Sequence, residues 1–224
     1  MELVRGAWVV FRKDLAYELG NRETLTILLV FSLAVLFLFN FSFELSREEA
    51  EQFLPGFLWL TVLFASVLGF SASMEAERRG GLEGLLLAPI PREAIFLGKA
   101  ASSLLFLFAV ELILAPLFFL FLGIPLSWGH FKLLLVPLLL GSLGLAALGT
   151  FLANICGVTK HSGILFSLGY FPLAVPILIS GTRLSQGILT YDHLPGGPWV
   201  RFLIAVDLIY LVVCLLLFEY LVEE

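Results

Sequence analysis

The sequence predicts an all-α membrane protein of six transmembrane helices, with an amphipathic helix before the first span and a short amphipathic segment between spans two and three. Two observations carry this. Of 224 residues, 60% are hydrophobic and 14% charged, against roughly 45–50% and about 25% in soluble domains; the mean hydropathy is +1.02. The apolar residues, 22 phenylalanines among them, gather in six long runs, and crossing about 30 Å of hydrocarbon takes roughly 20 such residues.

The predicted spans cover residues 25–43, 53–74, 100–122, 133–156, 163–180 and 202–222. The connections are short, so the whole chain, 1–224, is expected to form a single transmembrane domain. Ahead of the first span, Leu3, Val4, Ala7, Trp8, Phe11, Leu15 and Leu19 recur at helical spacing while Arg5, Arg12 and Lys13 fall on another face. This pattern predicts an interfacial helix over about 3–20. Asp14 and Glu18 fall near its apolar face, and a plain extension of the first span remains an alternative. A cleaved signal peptide is not expected, because no apolar run directly follows the basic start.

Lysine and arginine accumulate on the cytoplasmic side of membrane proteins. With the N-terminus inside, the inner segments hold Arg5, Arg12, Lys13, Arg22, Arg78, Arg79, Arg92, Lys99 and Lys160, and the outer ones Arg47, Lys132, Arg183 and Arg201. Both termini are therefore expected in the cytoplasm. The acidic first outer loop, with Glu44, Glu48, Glu49 and Glu51, suits this orientation.

The inner loop at about 75–91 is the most informative stretch. Glu75, Glu77, Arg78, Arg79 and Glu83 supply charge, Leu82, Leu85, Leu86 and Leu87 an apolar run, and Pro89 and Pro91 a stop. It predicts a short surface helix suited to docking a cytoplasmic partner; an ordinary interfacial loop is the alternative. No phosphate-cradling G-x-x-x-x-G-K-[ST] occurs, since Gly98-Lys99 has Glu93 where the first glycine belongs and Ala100 after the lysine. No nucleophile elbow or metalloprotease motif is present either. A net charge of −5 gives no basic patch for nucleic acid.

Within the spans, Glu111 and Asp207 are candidate functional groups, because an acid at a helix centre costs roughly 2.5–3.5 kcal/mol on insertion scales. Asp207, nearer a span end, is expected to snorkel or to pair with Arg201 or Arg183; for Glu111 a structural hydrogen bond weighs at least as much as transport. Ser142, Ala146, Thr150 and Asn154 recur every four residues, with Gly149 and Ala153 beside them, and predict a helix-packing face. Asn154 is also a polar candidate. Pro172 and Pro176 predict a bend in the fifth span. Cys156 and Cys214 have no metal spacing and are expected to pack. His130, His161 and His193 fall at span ends or loops and are expected to be solvated or interfacial; a haem or metal role stays open as the alternative. No metal site is predicted.

These residues together resemble the CcmB family, the haem-exporter-type permease of cytochrome c maturation. The resemblance rests on Pro55-Gly56-Phe57-Leu58-Trp59, on Gly81-Leu82-Glu83 leading into Leu85, Leu87, Pro89, Ile90 and Pro91, and on Pro172-Leu173-Ala174-Val175-Pro176-Ile177. Gly80-Gly81 departs from the usual Gly-Ser or Gly-Thr before the Leu-Glu, which puts a hydroxyl-dependent contact there in doubt. The resemblance implies an ABC-2-type permease architecture and two copies of the chain on a CcmA-like ATPase, beside CcmC-, CcmD- and CcmE-like proteins in the plasma membrane. Haem is implied as the transported or handled species, with Glu75, Glu77, Arg78, Arg79, Gly81, Leu82, Glu83, Leu86, Pro89 and Pro91 transmitting the ATPase's movement. Trp8, Trp59, Trp128 and Trp199 form no tryptophan-rich haem-handling segment. An exporter of another substrate, a drug or a lipid, is the alternative, and a membrane enzyme using Glu111, Asp207 and a histidine is a more distant one.

Overall fold

The computed structural model describes residues 2–42, 46–76, 85, 88–125, 127–157, 162–191 and 197–221. They form seven long helices: α1 (Glu2–Gly20), α2 (Arg22–Ser42), α3 (Arg47–Ala76), α4 (Arg92–Phe121), α5 (Trp128–Gly157), α6 (Ser162–Tyr191) and α7 (Pro198–Leu221). From α2 to α7, six are long and apolar enough to cross a membrane, and the described residues contain no strand. The protein is an all-α, multi-pass membrane protein.

Local sequence sets the helix starts. Asn21 separates α1 from α2 and caps the latter, its Oδ1 accepting from the Thr24 backbone N–H at 3.2 Å. Ser46 and Glu49 form a capping box at α3: the Ser46 backbone N–H donates to Glu49 Oε2 at 2.9 Å, and the Glu49 N–H to Ser46 Oγ at 3.4 Å. Pro91 precedes α4, where its missing N–H removes no helical bond. Beyond α4, Gly123 takes a φ of 67° and turns the chain toward α5.

All six spanning helices are longer than the predicted spans. The fifth span is predicted to end at residue 180, but α6 runs on to Tyr191. At 1.5 Å per residue its 30 residues reach about 45 Å, well beyond the hydrocarbon thickness, so the exposed Arg183 needs no burial. At α4 the helix begins at Arg92, because Lys99 is buried against protein rather than marking an exposed end.

α5 is the axis of the bundle, packing on α3, α4, α6 and α7, while α2 lies at the edge against α3 and α4. Glycines permit the close approach. A Cβ at Gly141 or Gly181 would run into the Trp59 ring, and one at Gly149 into Phe70. Trp59 is 1% exposed, and its indole N–H donates to Ser185 Oγ at 3.0 Å.

The N-terminal helix packs along the first part of α4. Its inward stripe is Gly6, Val10, Asp14 and Glu18, four residues apart, and Leu3, Val4 and Trp8 point away. The apolar stripe read from the sequence is therefore divided: its outer part faces out, and the two acids that looked misplaced face the protein. The contact is tight, since a Cβ at Gly98 would lie 2.6 Å from the Ala7 carbonyl oxygen and one at Gly6 would lie 2.8 Å from Ile90 Cγ2.

Candidate functional site

Most of the inner segment lies outside the described residues: Glu77, Arg78, Arg79, Gly81, Leu82, Glu83 and Leu86, as do Lys160, His161 and His193. Glu75 is exposed at the end of α3, Pro89 is exposed, and Pro91 is half-buried at the start of α4. Between the prolines, Ile90 packs against a small cluster that includes Val10, Ile95, Phe96 and Phe218. The end of the inner segment is thus wedged between α1 and α4.

Polar groups are concentrated in two places. The first is mid-bundle. Glu111 on α4 is 1% exposed, and its Oε2 accepts from the Ser142 hydroxyl on α5 at 2.7 Å. On the other side of α5, Asp207 from α7 is 2% exposed and lies where a Cβ on Gly144 would stand. Among the described residues, neither carboxylate oxygen of Asp207 has a hydrogen-bond partner. The expected pairing of Asp207 with Arg201 or Arg183 is not formed: both arginines are exposed, and the acid points inward to the glycine gap in α5.

Ser142 and Gly144 are two residues apart, about 200° around a helix of 3.6 residues per turn. α5 therefore stands between Glu111 and Asp207, and the two acids do not share a site. His130 lies 12 residues before Ser142, about 18 Å along the helix. The constellation that a membrane enzyme needs is not assembled among the described residues, which also hold no metal-ligating group of three or more side chains.

The second place is a cavity of about 220 Å³ between α1, α3, α4 and α5, reached also by the start of α2. It lies at the end of the bundle that carries α1. Ser66, Ser103, Thr150 and Asn154 supply its polar wall, Phe70 and Phe106 its aromatic one. The Tyr170 hydroxyl donates to Ser66 Oγ at 2.9 Å, Thr150 Oγ1 to Ser103 Oγ at 3.4 Å and Asn154 Nδ2 to the Thr150 carbonyl at 2.6 Å. Where α1 meets the cavity, Asp14 lies 2.8 Å from Lys13 Nζ and 3.6 Å from Lys99 Nζ. Burial, and after it the charge of Asp14, pushes the Glu18 carboxyl from an ordinary 4.5 up to about 8, against the opposing pull of Lys99.

Ser142, Ala146, Gly149, Thr150, Ala153 and Asn154 are all buried. Gly149 admits Phe70, while Thr150, Ala153 and Asn154 line the cavity. The sequence reading missed the cavity-facing roles of Lys99, Asp14 and Glu18. The signal was present in the two acids set against the apolar face of α1, and in Lys99 eight residues beyond a proline.

Six helices long and apolar enough to cross a membrane, with buried carboxyls and a polar cavity at one end, define a multi-pass membrane protein. The chain belongs to the CcmB protein family, whose model matches residues 5–220. It is similar to heme exporter protein B of Pseudomonas aeruginosa, 31% identical over 188 residues covering 84% of this chain and 80% of that one. It is also similar to the protein of that name from Rhodobacter capsulatus, 35% identical over 157 residues covering 70% and 71%. The Escherichia coli K12 protein is 29% identical over 198 residues, 88% of each chain.

Proposed function

We propose that this protein is the permease subunit of an ABC-type complex in cytochrome c maturation. In that role it couples ATP hydrolysis by a separate CcmA-like ATPase to haem delivery, or to release of a haem-loaded chaperone, at the outer face of the membrane. The observation that carries this is the family match over residues 5–220, with relatives named heme exporter protein B. CcmC-, CcmD- and CcmE-like proteins are its further partners, and two copies of the chain sit in the complex. The excess of lysine and arginine on one side supports a plasma-membrane location with both termini cytoplasmic.

The 75–91 segment is where the ATPase docks. Its charge pattern supports this, and so does the position of Ile90 against Gly6 and Val10, because a push on the segment would be felt by α1 and α4 together. Reversing both charges, with Arg79→Glu and Glu83→Lys, abolishes co-purification of the ATPase while the protein still inserts. Undiminished co-purification would sink the docking assignment. Gene neighbourhood separates this reading from general export, since a haem-chaperone gene beside the ATPase gene favours cytochrome maturation.

A further inference from the structure

Among the described residues, two buried oxygens at the 220 Å³ cavity have no hydrogen-bond partner: Oε2 of Glu18, from α1, and Oδ1 of Asn154, from α5. Asn154 is only 6% exposed. Buried acceptors are ordinarily paired, so the occupant of this cavity carries N–H or O–H donors. The nearby charges narrow its class. Asp14 is shared by Lys13 and Lys99, whereas Glu18 makes no ion pair among the described residues and is the carboxylate left over. Tyr17, Phe70 and Phe106 line the same space, and aromatic faces attract cations.

We propose that the cavity under α1 is a binding site for a small primary ammonium group, held by the Glu18 carboxylate and the Asn154 carbonyl oxygen against these aromatic side chains. At about 30 Å³ per water molecule the space holds roughly seven waters or one molecule of that bulk. It is smaller than the about 300–1,000 Å³ of ordinary ligand pockets, which suits a small polar group. An anion is disfavoured, because Asn154 Oδ1 is an acceptor and both lysines already hold Asp14. The ammonium group comes either from a free amine or from the headgroup of an aminophospholipid. This site is independent of the transport reading above.

The charged groups lining the cavity with Glu18 are Lys13 and Asp14 on α1 and Lys99 on α4; α2, α3 and α5 contribute only uncharged lining residues, among them Thr24, Ser73 and Asn154. Burial keeps the vacant Glu18 protonated up to about pH 8, so an ammonium binding below that pH displaces a proton. Its affinity then rises about tenfold from pH 6 to 7 and about fivefold from pH 7 to 8, and levels off above.

The test is calorimetric titration of the full-length protein in phosphatidylglycerol nanodiscs with propylammonium chloride at pH 6, 7 and 8, with propionate and 1-propanol as controls. Saturable binding of propylammonium alone is expected, about tenfold tighter at pH 7 than at pH 6 and about fivefold tighter again at pH 8, lost in Glu18→Gln and weakened at least tenfold in Asn154→Ala. Far-ultraviolet circular dichroism and monodisperse elution establish that each variant is folded, and either variant suffices. Absence of saturable binding, preference for propionate, or unchanged binding in both variants overturns the proposal. Repeating the titration in phosphatidylethanolamine nanodiscs identifies the source within the upheld class: weakened binding there points to the lipid headgroup, equal binding to a free amine.

Discussion

The indole N–H of Trp59 reaches Ser185 Oγ at 3.0 Å and ties α3 to α6 across the interior of the bundle. The ring fits only because Gly141 on α5 and Gly181 on α6 have no Cβ where it lies. Its polar atom is satisfied and its apolar body is enclosed, so it joins three helices at one point.

Trp59→Ala removes the largest fully buried side chain and leaves a void between α3, α5 and α6. Loss of about 3–5 kcal/mol is expected, the range for large-to-small aromatic substitutions. Ser185→Ala, which leaves the indole N–H unpaired, loses about 1–3 kcal/mol. Equilibrium unfolding in mixed micelles measures both, and an equal effect of the two would contradict the packing argument.

Ser142→Ala removes the hydroxyl that donates to Glu111 Oε2, and destabilisation of about 1–3 kcal/mol follows. Glu111→Gln keeps the shape and an acceptor for Ser142, so it is the milder change. If both variants also retain full cytochrome c assembly, this pair is structural and has no part in transport.

The stability of the protein depends on pH through Glu18. Its folded pKa of about 8 lies above the ordinary 4.5, so the folded state holds a proton that the unfolded chain gives up between those values. The stabilisation is full below pH 4.5, declines as pH rises from 4.5 to 8, and is gone above 8, with a slope of up to about 1.4 kcal/mol per unit. In Glu18→Gln that portion of the slope disappears. Melting temperatures of both proteins from pH 5 to 9 check it, and parallel curves would refute it.

Gly98→Val places side-chain atoms against the Ala7 carbonyl and Val10, and it separates α1 from α4 without touching the interior of the bundle. Limited proteolysis is expected to cut within residues 1–20 of this variant and to spare them in the parent protein. Protection equal to the parent would show that α1 is held elsewhere.

The six spans were legible in the sequence because lipid imposes a length and composition that each helix satisfies by itself. The ends of α4 and α6 were not, since Lys99 and Arg183 look alike as charges in sequence. One is covered by α1, and the other lies beyond the apolar stretch. In the same way Asp14 and Glu18 were visible as acids on an apolar face, but nothing in the spacing gave the reason.

Sequence alone determined the membrane class, the number of crossings and the family resemblance, because each rests on residues near one another in the chain. Only the tertiary structure decided which polar groups meet. Asp14 reaches Lys99 and Glu111 reaches Ser142 through helix packing, and the glycines at 141, 144, 149 and 181 set how closely those helices approach. Contacts between residues distant in the chain depend on that approach, and single-helix periodicity carries no record of it.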